Sequence, residues 1–221
     1  MEGRSPAMSR GRESALLVIS GAALALAFPP VNLWPLAFVG LMPLFYVIER
    51  TRVTGFWSAF RPGFLAGAAF FLTLVYWIVF LGSEQGENHV LMGAALALLV
   101  LLQSFYWGLF SAGAVLVSRR TRIPSFIVFP LLWVAAEQLR SLFELGFSWG
   151  ALGYAGTSIV PAVQFASVTG VFGVSLWMAV VNALVLGVVL GRPRAPRVVA
   201  LVLLLSLPLV HGVLTLGNDS W

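Results

Sequence analysis

The chain has 221 residues, of which 60% are apolar and only 10% charged, and a formal charge of +5; its mean hydropathy is +0.96. Soluble domains carry charge on about a quarter of their residues, so this composition excludes an ordinary soluble domain and makes the bilayer the natural solvent. All cations are arginine and cysteine is absent, which excludes a disulfide, a thiolate nucleophile and a cysteine-ligated metal; no cofactor is expected.

The apolar stretches, in chain order, run over Ala15 to Phe28, Leu33 to Ile48, Pro62 to Leu81, Val90 to Val117, Ile123 to Leu139, Ala162 to Leu190 and Val198 to Leu216. They predict an all-α membrane protein, a bundle of about seven transmembrane helices. The fourth, at about 42 Å as a helix, exceeds a hydrocarbon core of about 30 Å and predicts tilt. The first covers only about 21 Å, and Pro29-Pro30 prevents direct continuation. The first two segments are therefore either two crossings or a short hairpin; a cleaved leader after Arg10 and Arg12 is the third alternative.

Arginine placement sets the orientation. Arg4, Arg10 and Arg12 precede the first stretch, Arg50, Arg52 and Arg61 surround the second break, Arg119, Arg120 and Arg122 follow the fourth stretch, and Arg192, Arg194 and Arg197 follow the sixth. These breaks alternate, and Arg140 alone falls on the opposite side. The positive-inside rule then predicts a cytoplasmic N-terminus and a C-terminus on the outer side. The cations lie in membrane-flanking breaks, so no nucleic-acid partner is expected. The domain reading is a cytoplasmic tail over 1–14, a multi-span domain over 15–216 and an outer stub over 217–221.

Ionisable groups at the bilayer edge are the first candidates for function. Trp133, Glu137, Arg140 and Glu144 fall on one face of a helix, since i,i+3 and i,i+4 steps align them. A salt-bridged helix end at the interface is one reading. A site for an anionic lipid head group, or for docking an outer domain, is the other, because a guanidinium grips phosphate in a bidentate way. Gly146-Phe147-Ser148-Trp149-Gly150 matches a hydrolase G-x-S-x-G pattern, but that motif needs a strand-to-helix turn that nothing here supplies. His211 would be the base of a Ser148 pair; a packed or backbone-bonded histidine is the plainer reading, and His89 reads as solvated. Trp34, Trp57 and Trp149 read as interfacial anchors, Gly63 and Gly67 as a close helix contact, and Asn182 as an interhelical hydrogen bond.

Several segments together resemble the membrane portion of bacterial apolipoprotein N-acyltransferases. They are Ala27-Phe28-Pro29-Pro30, Pro43-Leu44, the stretch from Gly63 to Trp77, then Trp133-x-x-x-Glu137-x-x-Arg140, Gly146-Phe147-x-Trp149-x-x-x-Gly153-Tyr154, Gly170-Val171-Phe172-Gly173-Val174-Ser175, and Asn182. Where the family has proline after the Gly-Phe pair, this chain has Ser148. The resemblance implies an outer nitrilase-like domain inserted after the seventh span, whose glutamate, lysine and cysteine move a fatty acyl chain from a phospholipid donor to the diacylglyceryl-cysteine of a lipoprotein acceptor. This chain has neither cysteine nor lysine, so no catalytic residue carries over. The expectation is a truncated or split enzyme in the bacterial inner membrane, inactive alone and partnered by a separately encoded nitrilase-like domain. Trp133, Glu137, Arg140, Trp149 and Tyr154 are the expected substrate or domain-docking residues. A non-enzymatic membrane binding or transport protein is the competing class.

Overall fold

A computed structural model describes residues 8–51, 55–81, 89–142 and 146–218. They form helices α1 (Arg10–Ala25), α2 (Met42–Arg50), α3 (Phe56–Val75), α4 (Ile78–Leu81), α5 (His89–Arg120), α6 (Ser125–Ser141), α7 (Ala166–Val189) and α8 (Arg194–Asn218), with short 3₁₀ turns at Trp34–Phe38, Leu152–Ser158 and Val160–Val163. No strand occurs among the described residues. Helices α3, α5, α7 and α8 are long and apolar enough to cross a membrane; α6, at 17 residues, falls just short. The protein is thus an all-helical, multi-pass membrane protein. The surface agrees: only 6% of the apolar stretch of α8 is buried, a surface that water would not tolerate and lipid matches.

The first two expected spans fold differently from simple crossings. Ser9 caps α1, its hydroxyl accepting Arg12 N–H, with Glu13 in the first turn, so the helix starts inside the expected tail. After the Pro29-Pro30 turn the chain runs through a 3₁₀ turn into α2, only nine residues long, about 14 Å. The irregular stretch between them survives in an apolar bundle because side chains complete its backbone. Asn182 on α7 donates to the Ala37 carbonyl (2.7 Å) and accepts Leu41 N–H (2.9 Å), and Ser20 donates to the Gly40 carbonyl (2.6 Å). The interhelical bond expected of Asn182 is present, and its use is to hold this turn.

Small residues set the α3–α5 contact. A Cβ on Gly63 would stand 1.9 Å from the Trp107 carbonyl oxygen, and one on Gly67 would stand 3.0 Å from Trp107 Cβ, so the two backbones touch as the Gly-x-x-x-Gly spacing predicts. Ser111 reinforces the contact by donating to the Ala59 carbonyl (2.6 Å). Pro62, expected to begin this span, instead lies within α3; it removes the amide partner of the Ser58 carbonyl, which sits on an exposed residue near the helix start. Farther along the chain a proline is handled differently. Pro208 in α8 cannot donate to the Leu204 carbonyl, and the Trp177 indole of α7 donates to that oxygen instead at 2.7 Å.

One end of the bundle gathers the arginines. Arg61 bonds Ser14 (2.9 Å) and faces Glu13 (3.9 Å), Arg119 reaches the Thr51 carbonyl (3.4 Å), and Arg192 grips Glu49 (2.6 Å), whose other oxygen accepts the Ser125 hydroxyl. Arg140 lies apart from these pairs, in contact with the chain that leads from α6 to α7. Arg4, Arg52 and Glu144 lie outside the described residues.

The α3–α5 contact can be tested directly. Gly63→Val should lower the thermal unfolding midpoint in detergent by the equivalent of about 1 to 3 kcal/mol, the cost of overpacking. Gly93→Ala, where an added Cβ meets nothing, should stay within about 0.5 kcal/mol of the parent.

Candidate functional site

The segment after α6 has almost no regular helix to satisfy its backbone, so it borrows partners from α6 and α7. Arg140, at the last turn of α6, receives Phe147 N–H on its own carbonyl (3.1 Å), while its guanidinium Nη1 donates to the carbonyls of Phe147 (3.1 Å) and Trp149 (2.7 Å) and to Gln103 Oε1 on α5 (3.5 Å). One turn back, Glu137 Oε1 accepts Leu152 N–H (2.7 Å) and the Trp133 indole N–H (3.0 Å). From α7, Ser175 Oγ accepts Gly153 N–H (2.8 Å). Gly150 makes the turn between these anchors at φ 75°, with Leu74 and Phe70 of α3 close against the face where a Cβ would stand. The W-x-x-x-E-x-x-R and G-F-x-W-x-x-x-G-Y segments are thereby two halves of one device: the first supplies the partners, the second the loop they hold.

Burial separates the five expected site residues into two groups. Trp133, Glu137 and Arg140 are 2%, 3% and 2% exposed. Trp133 packs on Trp107 (centroids 4.6 Å) and Phe110 (5.2 Å), and the Arg140 guanidinium lies 5.3 Å from the Phe71 ring centre. Trp149 and Tyr154 are 56% and 41% exposed. Trp149 stands beside Trp77, between α3 and α4 (6.1 Å), and Phe147 (5.7 Å), an aromatic shelf on this end of the bundle.

A salt-bridged helix end at the interface, one of the two readings of this face, does not describe Glu137 and Arg140. Both are buried, and no direct ion pair joins them among the described residues. The physical reason is competition: backbone amide and carbonyl groups of the following loop, stranded without helical partners, take up the carboxylate and the guanidinium. Glu144 lies outside the described residues. Gln103 and Ser175 are the members of the site that sequence reasoning missed. Both are polar residues inside long apolar stretches, and that is the signal that could have found them. Ser148 is half-buried on the loop and His211 exposed on α8, and no hydrogen bond joins them; the serine-hydrolase pair is not assembled. Trp34 and Trp57 are exposed, as interfacial anchors would be.

The geometry discriminates between structural weights for Arg140. An exposed ion pair contributes about 0 to 1 kcal/mol, whereas removing one member of a buried charged network costs about 3 to 5 kcal/mol. Arg140→Gln should therefore lower thermal stability by an amount in the second range. Arg140→Lys should fall between the two, because an ammonium keeps the charge and could serve both carbonyls from one nitrogen, as Nη1 does, but lacks the other donors of the planar guanidinium; unfolding midpoints of the three proteins check this.

Comparison with known proteins gives a consistent picture. The family model described as the apolipoprotein N-acyltransferase N-terminal domain matches residues 20–184. The chain is 35% identical over 211 residues to the apolipoprotein N-acyltransferase of Geobacter metallireducens, covering 91% of this chain and 39% of that protein. It is 31% identical over 210 residues to that of Coxiella burnetii, covering 91% and 41%, and 32% identical over 202 residues to that of Pasteurella multocida, covering 90% and 37%. The chain thus spans about two fifths of the length of the curated relatives it matches.

Proposed function

We propose, from the premise that this chain belongs to the apolipoprotein N-acyltransferase family through its N-terminal domain, that it is the membrane platform of such an enzyme. The reaction would move a fatty acyl chain from phospholipid to the amino group of a lipoprotein's diacylglyceryl-cysteine, on a nitrilase-like domain that acts with this chain. The observation that carries the reading is the match along nine tenths of the chain to only two fifths of its relatives. Acyl transfer through a thioester needs a thiol, and this sequence has no cysteine; the chemistry therefore falls to the other part.

Within that platform the two groups of site residues take different roles. Trp149 and Tyr154, exposed on the loop, are the proposed contacts for lipid or for the docked catalytic domain, with Trp77 extending the same aromatic shelf. Such rings suit the boundary between acyl chains and head groups. Trp133, Glu137 and Arg140 are proposed as positioning residues that fix the loop from behind. Arg140 is buried with the Phe147 and Trp149 carbonyls on its guanidinium, so a phosphate grip by it would first require the loop to open. The proposed location is the bacterial inner membrane, with the arginine-gathering end cytoplasmic and the loop end periplasmic.

Two experiments test these readings. The chain alone, incubated with phospholipid and a diacylated lipopeptide, should give no triacylated product, whereas joining it to a nitrilase-like domain with a closing span should restore transfer; product from the chain alone, purified free of host enzyme, would reassign the chemistry. Orientation is read separately in spheroplasts. Thr157→Cys should react with a membrane-impermeant thiol reagent and Ser118→Cys should be protected, and the reverse pattern would invert the topology.

A further inference from the structure

Two buried polar atoms at the centre of this network have no protein partner among the described residues, Glu137 Oε2 and Arg140 Nε. The groups they belong to line one small cavity between α5 and α6, walled otherwise by Trp107, Phe110, Trp133 and Ala136. Its volume of about 10 Å³ is close to the room that one water molecule requires, ~10–15 Å³ on the same measure. We propose that a single water molecule occupies this cavity, donating to Glu137 Oε2 and accepting from Arg140 Nε–H.

The chemistry of the two atoms selects the occupant. A carboxylate oxygen needs a donor and a guanidinium Nε–H needs an acceptor, so the ligand must be both. An anion would be repelled by Oε2 and a cation by the guanidinium. An apolar filler would leave both atoms unsatisfied, which a buried site of low dielectric penalises most heavily. A neutral species of one heavy atom that donates and accepts is water. Of the two indoles in the walls, Trp133 has already given its N–H to Oε1, and Trp107 makes no hydrogen bond to Oε2. The Ser175 hydroxyl, which receives Gly153 N–H, lies near the same carboxylate but does not meet hydrogen-bond geometry at Oε2.

The bridge has a structural consequence for the loop. Glu137 fixes Leu152 and Arg140 fixes Phe147 and Trp149. A water between the two side chains would close these separate anchors into one ring, turning Glu137 and Arg140 into a water-separated ion pair. This inference concerns how the loop is held and does not depend on the acyltransferase reading.

The test is an experimental structure of the full chain in nanodiscs or detergent, at a resolution that shows ordered water. The expected result is one density peak within about 3.2 Å of both atoms. Arg140→Lys, which removes Nε, should shift or abolish it. The proposal is overturned by an empty cavity, by Oε2 meeting Nε or the Ser175 hydroxyl directly, or by a peak that keeps its place in Arg140→Lys.

Discussion

A backbone that leaves regular helix inside a membrane protein must find its hydrogen bonds in side chains, because lipid supplies none. At the loop end of this bundle that requirement is met by Glu137 and Arg140. Neither charge is neutralised by direct contact with the other; each is instead surrounded by peptide dipoles of the chain that follows α6, with Leu152 N–H on the carboxylate and the Phe147 and Trp149 carbonyls on the guanidinium. Burying the two charges is costly in isolation. It becomes tolerable because the loop has orphan groups of the opposite polarity, and the loop is ordered because the charges are there. Each half of the arrangement offsets the cost of the other, so the loop's shape is tied to the packing of α5, α6 and α7.

The same rule accounts for two other irregular places in the bundle. Asn182 completes the turn between α1 and α2, and the Trp177 indole replaces the amide that Pro208 lacks. In each case a polar side chain from α7 reaches a neighbouring element's unpaired backbone. Helix α7 thus ties the turn between α1 and α2, the loop and α8 to one another, since Ser175, Trp177 and Asn182 lie within about two turns of it. Its Ser175 and Asn182 are fully buried, as residues with such partners must be. The lipid-facing surface, by contrast, has no specific bonds to make and carries mostly aliphatic side chains.

Much of this was legible in the sequence, and the part that was not has a physical cause. Apolar length marked α3, α5, α7 and α8, because a helix must carry enough apolar residues to cross. The count of seven is not established by helix length alone: α2 is too short to cross, and α6, at 17 residues, falls just short. Gly63 and Gly67 marked a close helix contact, since a small-residue spacing reports backbone approach directly, and the fold supplies α5 as the partner. Pattern also brought Trp133, Glu137 and Arg140 onto one helix face. It could not show that this face points into the protein, because an amphipathic stripe reads the same whether it meets interfacial water or a loop's peptide groups. Gln103 and Ser175 escaped for a related reason: a single polar residue in an apolar run takes its meaning from what lies across the helix interface, which only the fold supplies.

The separation of buried charge from exposed ring bears on how such a platform could work. A rim that must meet acyl chains and a second protein surface benefits from aromatic contacts that lose little conformational entropy on binding, and Trp149 beside Trp77 and Phe147 is of that kind. Placing arginine at the rim would add attraction for phosphate but also a long, mobile side chain. Here the guanidinium stands behind the rim and its bonds fall on the carbonyls of Phe147 and Trp149 themselves. Its influence on a bound lipid would therefore pass through the position of the loop backbone, and a change at Arg140 would be felt wherever Trp149 makes contact.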